Sequence, residues 1–146
     1  MKYIIYTDGG SRGNPGKAAV GVVFCSEAGE PIKTFSEYLG DGLTNNEAEY
    51  RAVILALKKF KATFGKQATK EAEVEVRSDS ELLVHQMSGD YKIENENIQK
   101  FFIEIWNTKI DFGKVYFEAI PREQNRLADK LVNEALDAQQ SSQPLF

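Results

Sequence analysis

The chain has 146 residues, 42% of them hydrophobic and 27% charged, which allows one compact domain with its own core and leaves little room for a second. A formal net charge of −4 excludes a protein that holds nucleic acid by bulk positive charge alone, and a single cysteine, Cys25, excludes an intrachain disulfide or a cysteine-based metal cluster. The opening run Met1 to Asp8 is too short and too polar for a signal peptide and no stretch approaches the roughly 18 apolar residues of a membrane span, so a cytoplasmic setting without membrane contact is expected.

Residues 2–7 alternate and are rich in β-formers, which predicts a first strand ending at Asp8. Gly9-Gly10-Ser11-Arg12-Gly13-Asn14-Pro15-Gly16 reads as turn chemistry, residues 19–24 as a second strand and residues 31–40 as a third, joined by a turn over 27–30. Three strands on short turns make an antiparallel meander. Thr44 or Asn45 offers the N-cap of a helix in which Ala48, Ala52, Leu55, Ala56 and Phe60 recur at helical spacing. Gly65 should end that helix, with a Lys-rich connector after it. Residues 74–78 read as a fourth strand delivering Asp79, residues 80–87 as a short helix, and residues 96–109 as a longer one carrying Phe101, Phe102, Ile105 and Trp106. A fifth strand over 114–120 and a helix over about 123–138 complete the order βββαβααβα. That order predicts an α/β domain over residues 1–138 with one mixed sheet flanked by helices. Residues 139–146 read as a polar tail, and Gln143-Pro144-Leu145-Phe146 bears a faint likeness to tails that dock on sliding clamps, without their full spacing.

Asp8 falls at the end of the first strand, Asp79 just past the fourth, Glu49 in the first turn of a helix, and Asp129 two turns into the last. Strands one and four can be neighbours whose C-terminal ends share one sheet edge, the edge where α/β sheets place their ligands. Carboxylates packed there would repel one another. Hard divalent cations resolve that conflict, and two of them suit phosphodiester hydrolysis without a covalent nucleophile. Taken one at a time, each acid is more often a helix cap, a turn former or a solvated charge. The glycine-rich segment after Asp8 lacks the Gly-Lys-Ser/Thr ending of a phosphate-binding P-loop and leads into a strand.

The residues around the acids carry a resemblance. Tyr6-Thr7-Asp8-Gly9-Gly10-Ser11-Arg12-Gly13-Asn14-Pro15-Gly16, Thr44-Asn45-Asn46-Glu47-Ala48-Glu49, Ser78-Asp79-Ser80 and Asn125-Arg126-Leu127-Ala128-Asp129 resemble, in order, four signatures of the type 1 ribonuclease H family over residues 3–137. The resemblance implies the family's sheet order 3-2-1-4-5 and an endonuclease cutting the RNA strand of RNA–DNA hybrids to 5′-phosphate and 3′-hydroxyl ends. It implies Asp8, Glu49, Asp79 and Asp129 as catalytic, metal-holding acids for two Mg²⁺ ions, with Mn²⁺ a possible substitute. Glu49, three positions after the second asparagine, is then the acid of its motif, and Glu47 a surface residue. Asn14, Asn45 and Asn46 would lie along the minor groove, where amides can read base edges and 2′-hydroxyls. Thr44 would hold a phosphate of the DNA strand, and Gly9, Ser11, Asn125 and Arg122 would complete the substrate contacts. The same asparagines also suit ordinary turns and caps.

Two departures from the family stand out. Pro121-Arg122-Glu123-Gln124 replaces a loop that often carries a histidine, and Arg122 there would meet the scissile phosphate or form a surface ion pair. The only histidine, His85, reads as a surface residue. The connection Ser88 to Asn95 lacks the family's basic protrusion, leaving Tyr91 and Lys92 as candidates for the DNA strand, with Tyr91 equally a core residue. Lys58, Lys59, Lys61, Lys66 and Lys70 read as a solvated helix end. A monomer is expected. Alternatives are a relative that also cuts double-stranded RNA, a silent hybrid-binding module, and a subunit of a polymerase assembly.

Overall fold

A computed structural model of the chain describes residues 1–141. Strand β1 (Lys2–Gly13) pairs antiparallel with β2 (Gly16–Ser26), and β2 with β3 (Pro31–Leu43). On its other side β1 pairs parallel with β4 (Glu73–Ser78), and β4 parallel with β5 (Lys114–Ala119). The sheet order is β3-β2-β1-β4-β5, the five-stranded mixed sheet expected from the sequence. Helices α1 (Asn45–Glu71), α2 (Glu81–Met87), α3 (Glu96–Lys109) and α4 (Arg126–Ser141) flank it.

The alternation of β1 divides the core between two faces, as the pleat requires. Tyr3 and Ile5 point to one face, where Tyr50, Val53, Leu57 and Phe60 of α1 pack on Val22, Phe24, Val74 and Val76. Ile4 and Tyr6 point to the other, where α4 lays Ala128, Val132 and Leu136 against Ala19, Val23 and Cys25. Helix α3 buries Ile98 and Ile105 behind α1, whereas Trp106 is 52% exposed. No helix among the described residues is long and apolar enough to cross a membrane.

Several boundaries differ from the sequence reading, four of them with consequences for the site or the chain's end. The glycine-rich segment is strand, not turn: Gly9 to Gly13 continue β1, paired with Val20 to Gly16, and only Asn14 and Pro15 make the reversal. Gly65 interrupts α1 (φ 88°, ψ 168°) without ending it. The helix resumes through the expected connector to Glu71 because Thr69, fully buried, returns a hydrogen bond of 2.7 Å to the Gly65 carbonyl. Before α4, residues 122–124 form a 3₁₀ turn and Asn125 (φ −114°, ψ 26°) breaks the helical path. Helix α4 therefore starts at Arg126, which puts Asp129 in its first turn instead of two turns in. Of the expected tail, Gln139 to Ser141 continue α4, and the clamp-like Gln143 to Phe146 lie outside the described residues.

Candidate active site

The site forms where β1 outruns its neighbour. Pairing of β1 with β4 ends at Tyr6–Arg77, and β4 stops at Ser78, so Asp8 and Asp79 meet at an opened sheet edge. Asp79 is fixed between a strand end and a helix start. On one side the Ser78 carbonyl accepts from Ile120 N–H at 2.9 Å, and on the other the Ser80 hydroxyl caps α2 by accepting from Leu83 N–H at 3.2 Å.

Glu49 arrives from α1, whose start is held by a reciprocal cap. The Thr44 hydroxyl accepts from Glu47 N–H at 3.1 Å, and the Glu47 carboxylate accepts from Thr44 N–H at 3.1 Å. The two glutamates differ in place: Glu47 caps the helix, and Glu49 is 8% exposed at the sheet edge. Close approach of α1 needs a residue without a side chain beneath it. A Cβ on Gly9 would lie 2.2 Å from the Ala48 carbonyl oxygen. Gly21, the cross-strand partner of Asp8, does the same for α4: a Cβ there would lie 2.2 Å from the Ala128 carbonyl oxygen and 2.8 Å from Leu131 Cβ. Two bare positions thus let two helices bring Glu49 and Asp129 to opposite sides of Asp8. The role of Gly21 was invisible in the sequence, because it depends on strand register.

Carboxylate oxygens of Asp8, Glu49 and Asp79 lie within 4.8 Å of one another. Asp129 lines the same open cavity as Asp8 and Glu49. Burial pushes the Asp8 pKa from 3.8 up to about 7, with repulsion from Asp79 and Asp129 adding to it. Burial likewise raises Glu49 well above the usual carboxylate range, reinforced by Asp8 and Asp79 and opposed by a hydrogen bond from the Gly9 backbone. Glu49 Oε2 is buried without a hydrogen-bond partner. Buried polar atoms are normally satisfied, and an orphaned oxygen within a clustered acid set is what a hard divalent cation would satisfy. The three acids could therefore hold a metal ion.

The remaining sequence candidates fall into two clefts and one interior position. Gly9, Ser11, Asn45 and Arg122 line the acidic cavity, together with Arg12 and Asn133, which the sequence reading had not singled out. Asn14, Thr44, Asn45 and Asn46 line an adjoining cleft with Gln86 and Asn95. The hairpin tip and the helix start are laced together: Asn45 Oδ1 accepts from Ser11 N–H at 2.9 Å, and Asn14 Oδ1 accepts from Asn45 N–H at 3.0 Å. Asn125 is 1% exposed, so its side chain stands behind the acids and not on the substrate surface where it was expected. It donates to the Thr7 carbonyl at 2.9 Å and lies 3.5 Å from an Asp79 oxygen. Tyr91 is not a core residue: it is 52% exposed and stacked on His85 at 4.6 Å, and His85 itself pairs with Asp90 at 3.1 Å.

Residues 6–135 match the family model described as reverse transcriptase-like. Over 141 residues the chain is 37% identical to a bifunctional protein of Mycobacterium tuberculosis, covering 94% of this chain and 36% of that protein. Over 132 residues it is 37% identical to ribonuclease HI of Halobacterium salinarum, covering 90% of this chain and 63% of the other. Among solved structures, LC11-RNase H1 in complex with an RNA/DNA hybrid is 46% identical with a TM-score of 0.89, over 94% of this chain and 98% of that one. The chain belongs to the type 1 ribonuclease H family. It spans about a third of the length of the mycobacterial relative. It nonetheless covers 99% of the solved chain of that relative's N-terminal RNase H domain, a fusion with maltose binding protein, at 36% identity and a TM-score of 0.84. In this ribonuclease H domain, then, the acids converge on the edge where β1 leaves β4, and all four sequence signatures border that edge.

Proposed function

We propose that this chain is an endonuclease that hydrolyses the RNA strand of RNA–DNA hybrids, leaving 5′-phosphate and 3′-hydroxyl ends. The observation that carries the proposal is the convergence of Asp8, Glu49 and Asp79 within 4.8 Å, with one Glu49 oxygen buried and unsatisfied. LC11-RNase H1, solved with an RNA/DNA hybrid, supports the choice of substrate.

Asp8, Glu49 and Asp79 would hold one Mg²⁺, and Asp8 with Asp129 a second, with Mn²⁺ an acceptable replacement. When bound, such a pair supplies activation of the attacking water and stabilisation of the leaving oxygen. The chain's own groups supply position. Asn125 stands behind Asp79, the Ser80 cap fixes the backbone that follows it, and Gly9 and Gly21 set the approach of Glu49 and Asp129. Arg122, on the cavity wall, offers a planar donor fork to the scissile phosphate. Asn14, Asn45 and Asn46 present amides along the adjoining cleft, where a minor groove displaying 2′-hydroxyls would run. Thr44 stands at the cleft's edge for a phosphate of the DNA strand. The chain acts as a monomer, and the single, buried, unpaired Cys25 is in keeping with a reducing cytoplasm.

Cleavage of an end-labelled hybrid with Mg²⁺, beside single- and double-stranded RNA, tests the reading. Hybrid cleavage that falls by at least about 100-fold in Asp79→Asn is expected. Tight hybrid binding with no cleavage under Mg²⁺ or Mn²⁺ would make the chain a silent binding module, and equal cleavage of double-stranded RNA would remove the hybrid preference.

A further inference from the structure

A cavity walled by carboxylates must accept a substrate that is itself a chain of anions. Positive charge at its rim therefore decides how well the substrate is seated. Besides Arg122, one arginine lines the acidic cavity, Arg12 near the end of β1. Its position is built. The guanidinium makes an ion pair with Asp137 at 2.7 Å and reaches Asn133 Oδ1 and Gln140 Oε1 at 3.4 Å each, all three on α4. Arg12 therefore spans from the β1–β2 hairpin to the helix that carries Asp129. A guanidinium has more N–H donors than these three contacts use, all in one plane, and the Arg12 side chain remains 42% exposed.

The contact with Asp137 does not cancel this role. Asp137 is 66% exposed, and an exposed ion pair holds its partners weakly. A phosphate entering beside Asp129 competes for the same fork with better geometry, since arginine matches two phosphate oxygens at once. Asn133 and Gln140 then keep the guanidinium in place while Asp137 yields.

Resting on the proposed function, we infer that Arg12 is a substrate-binding residue. It would take a backbone phosphate of the RNA strand next to the scissile one, on the Asp129 side of the site. Arg122 takes the scissile phosphate itself, so the two arginines bracket the acids.

The test is steady-state hybrid cleavage at several salt concentrations by wild type, Arg12→Ala, Arg12→Lys and Asp137→Ala. Arg12→Ala should raise KM by about 5- to 20-fold at roughly 0.1 M salt with kcat little changed, and should flatten the dependence of log KM on log salt by about one. Arg12→Lys should recover most of the salt slope and only part of the KM, because it keeps the charge and loses the fork. Asp137→Ala should leave KM at or below the wild-type value. A role confined to tying the hairpin to α4 predicts instead equal losses in Arg12→Ala and Asp137→Ala with an unaltered salt slope. That result, or a wild-type KM and slope in Arg12→Ala, overturns the inference while leaving hybrid cleavage established. Wild type that cuts no hybrid overturns both readings.

Discussion

Replacing Asp8 by Asn separates the cost of the acid cluster from its use. Burial and two neighbouring carboxylates lift the Asp8 pKa from 3.8 to about 7. A carboxyl whose pKa is higher folded than unfolded contributes stability that is fully present below its unfolded value and is lost as pH rises through its folded value. For Asp8 the loss therefore runs from about pH 4 to just above pH 7. At about 1.4 kcal/mol per pH unit, the rise from 3.8 to about 7 corresponds to about 4 kcal/mol forfeited by pH 8 in the metal-free protein. Asp8 is 6% exposed, so solvent screens little of this. An amide keeps part of the burial cost, which brings the expected gain of Asp8→Asn at pH 8 to about 1–3 kcal/mol, or roughly 3–10 °C in Tm. Urea unfolding in EDTA at pH 4.5 and pH 8 measures it directly. The variant should match wild type at pH 4.5 and exceed it at pH 8, and saturating Mg²⁺ should close the gap by stabilising wild type alone. A variant no more stable than wild type at pH 8, or a gap of equal size at both pH values, would refute the reasoning.

Other expectations follow from the same geometry. Gly9→Ala places a methyl 2.2 Å from the Ala48 carbonyl oxygen; it should cost about 2–4 kcal/mol in urea unfolding and reduce hybrid cleavage at least about 100-fold by displacing Glu49. Gly21→Ala drives α4 off β2 through its clash with the Ala128 carbonyl, and calorimetry should show a loss of about 1–3 kcal/mol. Activity should fall more than that loss explains, because Asp129 moves with the helix. Thr44→Ala removes the reciprocal cap with Glu47, which thermal melts should record as about 1 kcal/mol. In Glu49→Gln, isothermal titration with Mn²⁺ should show affinity for the tighter site reduced by at least about tenfold, since the group carrying the orphaned buried oxygen loses its charge and one oxygen donor.

Much of this molecule could be read along the chain. Strand and helix periodicity located every strand and α-helix among the described residues, because side-chain alternation and apolar spacing are local properties. Four short motifs in register, through their resemblance to a family's signatures, singled out the candidate acids. Boundaries were less legible where a residue's usual behaviour met a tertiary contact. Gly65 reads as a terminator, yet buried Thr69 carries α1 past it. The glycines after Asp8 read as a turn, yet pairing with β2 makes them strand, and that strand length carries Arg12 to α4. Asn125 reads as a surface amide of an acidic motif, yet the break before α4 buries it behind Asp79.

Residue types and their order determined the fold class, because periodicity is local, and their resemblance to a family's signatures singled out four candidate acids. Only the tertiary structure decided how far each acid is buried, which of two glutamates caps the helix, why Gly9 and Gly21 must be bare, and that Arg12 stands in the acidic cavity. Each of these is a distance between segments remote in sequence, and such distances are fixed by the register of β1 against β2 and β4 and by the closeness of helix to sheet.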